Sequence, residues 1–394
     1  MNSVKEILKK VRANGDAAVR EYNMLFDKND AEKFELTKAE IKEAYSKVNK
    51  GTINALKFAA KNIKEFAKAQ MKQVKGFEVR TKFGVLGQKV IPLSCVGCYV
   101  PGGNYPLPST ALMTVIPAKV AGVGEVIVCS PKIKPVVIVA ADIAGADRIF
   151  NVGGVQAIGA MAYGTKQIPR VDKIVGPGNK YVAEAKREIY GEVGIDFVAG
   201  PSEVLIVADE SANAELIAAD MLAQAEHDVD AKSNIITTSK ELIEKVKEEL
   251  TKQLVEIKTR KIAEQSISKS QFIFVKNINE AIKLANQIAP EHLEIQAKIK
   301  PKMLDKFYNY GSMFLGEASA EALGDYCLGP NHTLPTSGAA RYTGGLSVRD
   351  FVKVVTVQNV KKTNKKLIQT AAKLAEVEGL DAHKKSAEKR LLLH

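Results

Sequence analysis

From about residue 100 to Gly316 short apolar runs alternate with longer stretches of helical period, and this alternation limits the fold more than any other feature. The runs at 125–129, 148–152, 173–175, 203–207, 234–237, 272–275 and 313–315 are rich in Val and Ile and have the length of strands. Between them, for example at 156–163, 180–190, 212–227 and 240–254, apolar residues recur every three or four positions. A strand cannot pair in parallel with its successor without a crossover, and a helix is the usual one. Such alternation therefore predicts an α/β fold with right-handed crossovers. The units fall into two groups, before and after about Ser202, as two Rossmann-like halves would.

The flanks differ. At 394 residues the chain is too long for one core, so two or three domains are expected. Residues 1–22 mix charge through their apolar positions and read as an amphipathic helix, not a signal peptide. Thr37 with Glu40 spells a capping box, 53–74 continues as a long amphipathic helix, and 77–100 alternates like a hairpin. Residues 135–146 have strand-like composition, but their place between two strands favours a helix. After Gly316 comes a loop rich in Gly, Pro and Asn, then a helical tail from about 362. The tail is too polar to fold alone and must dock on something, such as a second subunit.

Hydrophobic residues at 46% and charged residues at 26% describe an ordinary globular chain. The most apolar region, 110–130, is broken by Pro117 and carries Lys119 and Glu125, so no membrane span is expected and the cytoplasm is the default location. A net charge of +12 raises nucleic acid as a partner, but acidic residues are interleaved almost everywhere. Even the densest basic stretch, 361–390, sets nine Lys/Arg against four Asp/Glu on a helical pattern, which reads as a solvated face. Four cysteines form no disulfide framework. Cys95 and Cys98 spell C-x-x-C, but within a strand-like run, without the helix N-terminus that activates a redox pair. Cys129 is another strand residue.

No G-x-G-x-x-G occurs. Glycine clusters stand instead at 101–105, 151–154 and 176–179, each after a strand candidate, where an α/β sheet places ligands. Four of the five histidines lie in polar company. His227 ends a helical pattern with Gln224 three residues earlier on the same face; His332 follows Asp325 by seven residues in a loop; His383 lies in the tail. Histidines with a carboxylate make a plausible zinc set, although spacing alone does not bring these together. Glu291-His292, after Pro290 and before a short strand at 292–296, puts an acid beside a base at a strand edge. There His292 could take a proton from a substrate and Glu291 from a water.

Eight segments, YVPGGNYPLPST (99–110), FNVGGVQAIGAMAYGT (150–165), VDKIVGPGNKYV (171–182), VAGPSEVLIVAD (198–209), AQAEHD (223–228), APEHLEI (289–295), GDYCLGPNHTLPTSGAARYTGGLSVRDF (324–351) and EGLDAH (378–383), resemble the histidinol dehydrogenase family in order and spacing. The resemblance implies an NAD-dependent, four-electron oxidation of L-histidinol via L-histidinal to L-histidine, the last step of histidine biosynthesis. It implies Gln224, His227, Asp325 and His383 as ligands of one Zn2+ per subunit, and Glu291 and His292 as the proton-handling pair. Ser202, Glu378 and His332 fall at substrate positions beside the zinc ligands and the pair, and Tyr99, Gln156 and Asn179 at positions that hold NAD, two of which are consumed per turnover. The implied fold is α/β, two incomplete Rossmann-like domains with parallel sheets plus helical N-terminal and dimer-swapped C-terminal segments. Its expected parts are a helical segment at 1–22, a discontinuous metal and substrate domain at 23–98 with 204–345, an NAD domain at 99–203, and a tail at 346–394. In a homodimer with shared active sites, that tail would carry Glu378 and His383 to the neighbour. Two enzymes rival this expectation: a zinc/NAD dehydrogenase of the same scaffold acting on another small alcohol such as a sulfonated diol, and a thiol-dependent aldehyde dehydrogenase using Cys98 or Cys129.

Overall fold

The N-terminal run folds as two helices, not one. α1 (Val4–Asn14), started by a Ser3–Glu6 capping box, stops where Gly15 takes φ 53, and α2 (Asp16–Tyr22) sets off in a new direction. The capping box read at Thr37 is present: its hydroxyl accepts the Glu40 amide, and the Glu40 carboxylate accepts the Thr37 amide at the head of α3 (Lys38–Ser46). α4 (Lys50–Met71) follows under an Asn49 cap. The structure, a computed structural model, describes residues 3–102, 105–198, 200–361 and 364–392. Gly103 and Asn104 of the first glycine cluster, Ala199, the start of the expected tail at Lys362 and Thr363, and His394 lie outside the described residues.

The expected hairpin is shorter than 77–100. β1 (Phe77–Thr81) and β2 (Gly84–Pro92) pair antiparallel, but β3 (Cys95–Tyr99) leaves them for a parallel sheet. Its side chains explain the move: Val96, Cys98 and Tyr99 are buried on both faces, the habit of a central parallel strand. The chain then continues through α5 (Pro108–Ala121), β4 (Glu125–Cys129), α6 (Pro135–Ala144), β5 (Arg148–Phe150), α7 (Gly154–Tyr163), β6 (Lys173–Val175), α8 (Lys180–Ile189) and β7 (Gly194–Ile195). The segment with strand-like composition is the helix α6, as its place predicted, and its apolar residues are those it buries.

A second succession follows: β8 (Glu203–Ala208), α9 (Ala214–Ala225), β9 (Lys232–Thr237), α10 (Lys240–Leu254), α11 (Arg260–Ile267), β10 (Phe272–Phe274), α12 (Ile278–Ile288), β11 (His292–Gln296), α13 (Pro301–Leu304) and β12 (Ser312–Leu315). The sheets are ordered β5-β4-β3-β6-β7 and β10-β9-β8-β11-β12, all strands parallel. Numbered by their own succession, the strands of both sheets run third, second, first, fourth, fifth. Each is thus a Rossmann-like half whose order reverses between its first and fourth strands. Apolar cores lie on both faces of each sheet.

Two expectations are corrected here. The boundary between 23–98 and 99–203 does not match the sheets, because β3 is the central strand of the first one. Helix α4 also buries Leu56 and Ile63 in the same core as α5 and α6, so this helical region belongs with the first sheet and not the second. The Gly-rich stretch after Gly316, moreover, is not all loop before the tail. It contains α14 (Glu321–Tyr326) and the strand β13 (Val352–Val360), which pairs antiparallel with β2. The tail helices α15 (Lys365–Val377) and α16 (Asp381–Glu388) come last. Among the described residues no helix is long and apolar enough to cross a membrane.

Phe351 fixes the return of the chain to β2: its ring is fully buried in the core shared by α4 and α5, and its carbonyl accepts the Leu93 amide at 3.0 Å. Phe351→Ala should cost about 3–5 kcal/mol, read as a lower urea midpoint at fixed protein concentration.

Candidate active site

The candidate site is organised at the N-terminal end of β11. Helix α12 ends at Ala289, whose φ of 55 turns the chain sharply, and Pro290 bars any further helix. Glu291 and His292 then enter the second sheet, both buried. Because strand side chains alternate, His292, Glu294 and Gln296 share one face of β11. Helix α9 covers that face and brings the buried Gln224 and Asp220 to it.

Strand register does the fine positioning. His292 pairs with Val204 of β8, which sets both members of the pair against the peptide of Glu203. The Glu203 amide donates to Glu291 Oε2 at 2.9 Å, and His292 Nδ1 donates to the Glu203 carbonyl at 3.2 Å. With its Nδ1 proton committed there, His292 turns Nε2 toward Asp325 Oδ1, 3.5 Å away, and that nitrogen is buried without a hydrogen-bond partner. Helix α14 supplies Asp325 and, one turn earlier, the buried Glu321, whose Oε1 lies 3.5 Å from His292 Nδ1. The Gln224 amide, oriented to satisfy its neighbours, donates to both oxygens of Glu321, one at 3.2 Å.

So many carboxylates in one buried space perturb one another. Burial, with Asp325 and Glu203 adding to it against the pull of His292, pushes Glu291 up to about 7. Burial also drives Glu321 well above the carboxylate range. Burial alone would keep His292 neutral, but Glu321, Glu291 and Asp325 outweigh it and raise the imidazole well above its ordinary value. Burial opposes ionisation of Asp325 as well, yet its contact with His292 and the fields of His332 and His227 hold it low. His332 is lowered by burial, and its Nε2 is buried without a partner.

Atoms of His292, Glu321 and Asp325 lie within 4.8 Å of one another. Carboxylates, imidazoles and the Gln224 amide around one point are a donor set that suits a divalent cation. Of the expected ligands, the single chain brings together Gln224, Asp325 and, one residue beyond the cap of α9, His227, which is exposed but acts electrostatically on Asp325. Ser202 stands next to Glu203 at the entry to β8. Glu378 and His383 are exposed on the tail, and among the described residues no hydrogen bond or ion pair joins them to the cluster.

The expected cofactor residues gather elsewhere, at the C-terminal end of the first sheet where its strand order reverses between β3 and β6. Tyr99 ends β3, and its hydroxyl accepts the Gly154 amide at 3.0 Å. Gln156, in the first turn of α7, donates to Asn23 Oδ1 at 3.3 Å and keeps a buried, unpartnered Oε1. Asn179 caps α8 by accepting from Tyr181 and Val182 at 3.0 and 3.1 Å. The segment from α14, which bears Asp325, to His332 bridges to this half: the side-chain amide of Asn62 donates to the Cys327 carbonyl at 2.8 Å, and that of Asn331 to the Met113 carbonyl at 2.6 Å.

Glu203 and Glu321 were not singled out from the sequence. Glu321 lies four residues before Asp325, a helical spacing visible once α14 is recognised, whereas the place of Glu203 depends on register between distant strands. The cysteines offer no nucleophile. Cys98 and Cys129 are fully buried, burial pushes the Cys98 thiol up to about 12, and it raises Cys129 as well.

The sequence model of the histidinol dehydrogenase family matches residues 1–391. The histidinol dehydrogenase of Methanocaldococcus jannaschii is 47% identical over 395 residues, covering 99% of this chain and 92% of that protein. The crystal structure of histidinol dehydrogenase from Elizabethkingia anophelis superposes with a TM-score of 0.92 at 38% identity, covering 98% of this chain and 91% of that one. An acetylating aldehyde dehydrogenase from Geobacillus thermoglucosidasius, at 15% identity and a TM-score of 0.52, covers 92% of this chain and 99% of its own and shares the fold alone.

Beneath the cluster Glu294 faces Asp220, and burial, reinforced by the Asp220 carboxyl, pushes Glu294 from the ordinary 4.5 up to about 8. The folded chain therefore holds a proton that the unfolded chain releases, so this group lowers stability as pH rises from about 4.5 to about 8. Glu294→Gln should remove that dependence. Urea titrations should show the variant gaining on the parent between about pH 5 and about pH 8, the window these values set; an equal gap at both ends would refute the shift.

Proposed function

This chain belongs to the histidinol dehydrogenase family, and from that premise we propose that it oxidises L-histidinol through L-histidinal to L-histidine in the cytoplasm, passing two hydrides to two molecules of NAD. The observation that carries the reading is the buried Glu291–His292 pair, held by the peptide of Glu203 and facing the donors Gln224 and Asp325.

His292 is placed for the first oxidation. Its Nδ1 proton is given to the Glu203 carbonyl, so in the neutral imidazole Nε2 is the atom that takes the hydroxyl proton as hydride leaves the carbinol carbon. Glu291 suits the second. A carboxyl poised near 7 can accept a proton from the water that attacks the aldehyde carbon and release it again at neutral pH. Burial of the pair keeps the aldehyde from bulk water between the steps. Gln224, His227 and Asp325 are the residues of this subunit that would hold Zn2+. When bound, the ion would supply a fixed positive charge that fixes the nitrogen atoms of the amino alcohol. Tyr99, Gln156 and Asn179 would hold NAD, and Ser202 and His332 the substrate.

A homodimer would complete the site. The tail exposes Leu374, Val377 and Leu380, and the β1–β2–β13 sheet exposes Val79, Leu86 and Val354, apolar surface that a second subunit would cover. Glu378 and His383 would then reach the neighbour's cluster.

NADH absorbance with L-histidinol tests the reaction: two NADH per histidinol, lost on chelation and restored by zinc, are expected, and a folded, zinc-loaded protein without turnover would overturn it. Glu291→Gln should slow histidinal oxidation by about 10²–10⁴, and the parent's rate for that step should climb with pH through about 7 as the carboxyl loses its proton.

Sharing of sites makes a separate prediction. His292→Ala and His383→Ala subunits should each be inactive alone. After refolding as a mixture half the dimers are hybrids with one intact site of two, so about a quarter of the parental activity should return. No recovery in a mixture shown to contain hybrids would place His383 in its own subunit's site.

A further inference from the structure

The first sheet contains a fully buried ion pair that none of the chemistry above uses. Lys186 and Asp196 are both almost completely inaccessible, and they are in direct contact. Lys186 lies in the second turn of α8 and reaches back along the helix, so that Nζ donates to the Gly176 carbonyl at 2.9 Å. Asp196 follows β7, accepts the Gly176 amide at Oδ2 at 2.7 Å and accepts its own neighbour's amide, that of Phe197, at Oδ1 at 2.7 Å. Both hydrogen-bonding groups of one glycine are thus consumed by the two halves of one buried pair.

That glycine opens the turn 176–179, at whose end Asn179 caps α8. Gly176 takes φ 111, and a Cβ there would stand 2.2 Å from the Tyr99 carbonyl, so the turn is pressed against the end of β3 with no room to adjust. The reversal point of the sheet, the tyrosine, the turn and the helix N-terminus meet here, where an α/β fold receives a dinucleotide. A chain without the usual glycine fingerprint needs another way to hold the phosphate-side loop still. A charged pair out of water gives strong, directional bonds, and its desolvation cost is offset only if every partner stays in place.

We propose that Lys186 and Asp196 are positioning residues for NAD: they lock the Gly176 peptide, and through it the 176–179 turn and Asn179, in the conformation that receives the cofactor. The inference rests on the reading that Asn179 holds NAD. Neither residue touches the cofactor, so their effect is on the fraction of chains whose turn is competent. Where that fraction falls to about a tenth, apparent NAD affinity falls about tenfold, with no change in the catalytic pair.

The test is steady-state kinetics of the zinc-loaded enzyme with both substrates varied. Lys186→Met should raise the KM for NAD about tenfold while the KM for histidinol stays within about twofold, and Lys186→Arg should recover part of the loss. Should Lys186→Met fail to fold, the neutral pair K186Q/D196N, which leaves no unpaired buried charge, is measured against the same criterion. Unchanged constants, or equal rises for NAD and histidinol, would mean that the pair serves general stability and would overturn the proposal. Asn179→Ala separates the premise from the inference. A raised KM for NAD in that variant beside a normal one in Lys186→Met refutes the positioning role alone, whereas no effect of Asn179→Ala refutes the cofactor reading and the inference with it.

Discussion

Glu203 meets both members of the proposed catalytic pair through its own peptide group, the amide to Glu291 and the carbonyl to His292. Backbone atoms cannot choose another rotamer, so the geometry of the pair is as exact as the register between β8 and β11. That register is enforced by burial. A slip by one residue would carry His292, Glu294 and Gln296 into the apolar core on the opposite face, where Leu293 and Ile295 now lie. The side chain of Glu203 extends the same control outward, since its Oε1 accepts the Ser337 amide at 2.9 Å and ties the loop after His332 to the strand. Beside it, the Gly200 amide donates to Thr336 at 2.6 Å. Glu291, His292, the loop at 333–337 and the sheet are therefore one hydrogen-bonded unit.

What could be read in the sequence followed from local physics. Short Val- and Ile-rich runs between helical patterns have one economical arrangement, and both parallel sheets were foreseeable from them. The Thr37–Glu40 box and the helix at 135–144 were legible for the same reason. Glu291 and His292 announced themselves by adjacency after Pro290. What could not be read was set by contacts distant along the chain. β13 has strand-like alternation, but it lies far from β2 in sequence, and only their pairing makes it a strand. β3 was joined to the hairpin because alternation does not say which neighbour a strand will choose. The convergence of Gln224, Glu321 and Asp325 on His292 belongs to three separate elements, and the spacing of none contains it.

The charges at the site give a reason for its composition. Three carboxylates beside one imidazole in a buried space are unstable as anions, and burial and mutual repulsion raise Glu291 and Glu321 while the carboxylates raise His292. Such a cluster is poor for stability, because apolar residues of the same volume would fill the space without these conflicts. Its persistence is more easily understood as the requirement of a cation and of an alcohol with two nitrogen functions. Exposure of Glu378 and His383 fits that argument, since the same tail exposes Leu374 and Val377, the apolar surface that the proposed homodimer would cover.

The two halves of the site also obey different rules. In the first sheet the candidate cofactor residues stand at the C-terminal ends of the strands, at the reversal of strand order, as α/β folds favour. In the second, built with the same order, Glu203, Glu291 and His292 stand at the N-terminal ends instead. The first sheet's last strand, β7, ends at Ile195 and the second sheet's first, β8, begins at Glu203, so the chain passes from the C-terminal edge of one to the N-terminal edge of the other. The bonds from Asn62 and Asn331 to opposite sides of that junction close it from the other direction. An aldehyde that must stay between two hydride transfers suits the buried Glu291–His292 edge proposed for it. Using one edge of each sheet lets one strand order, present twice, provide both candidate sites.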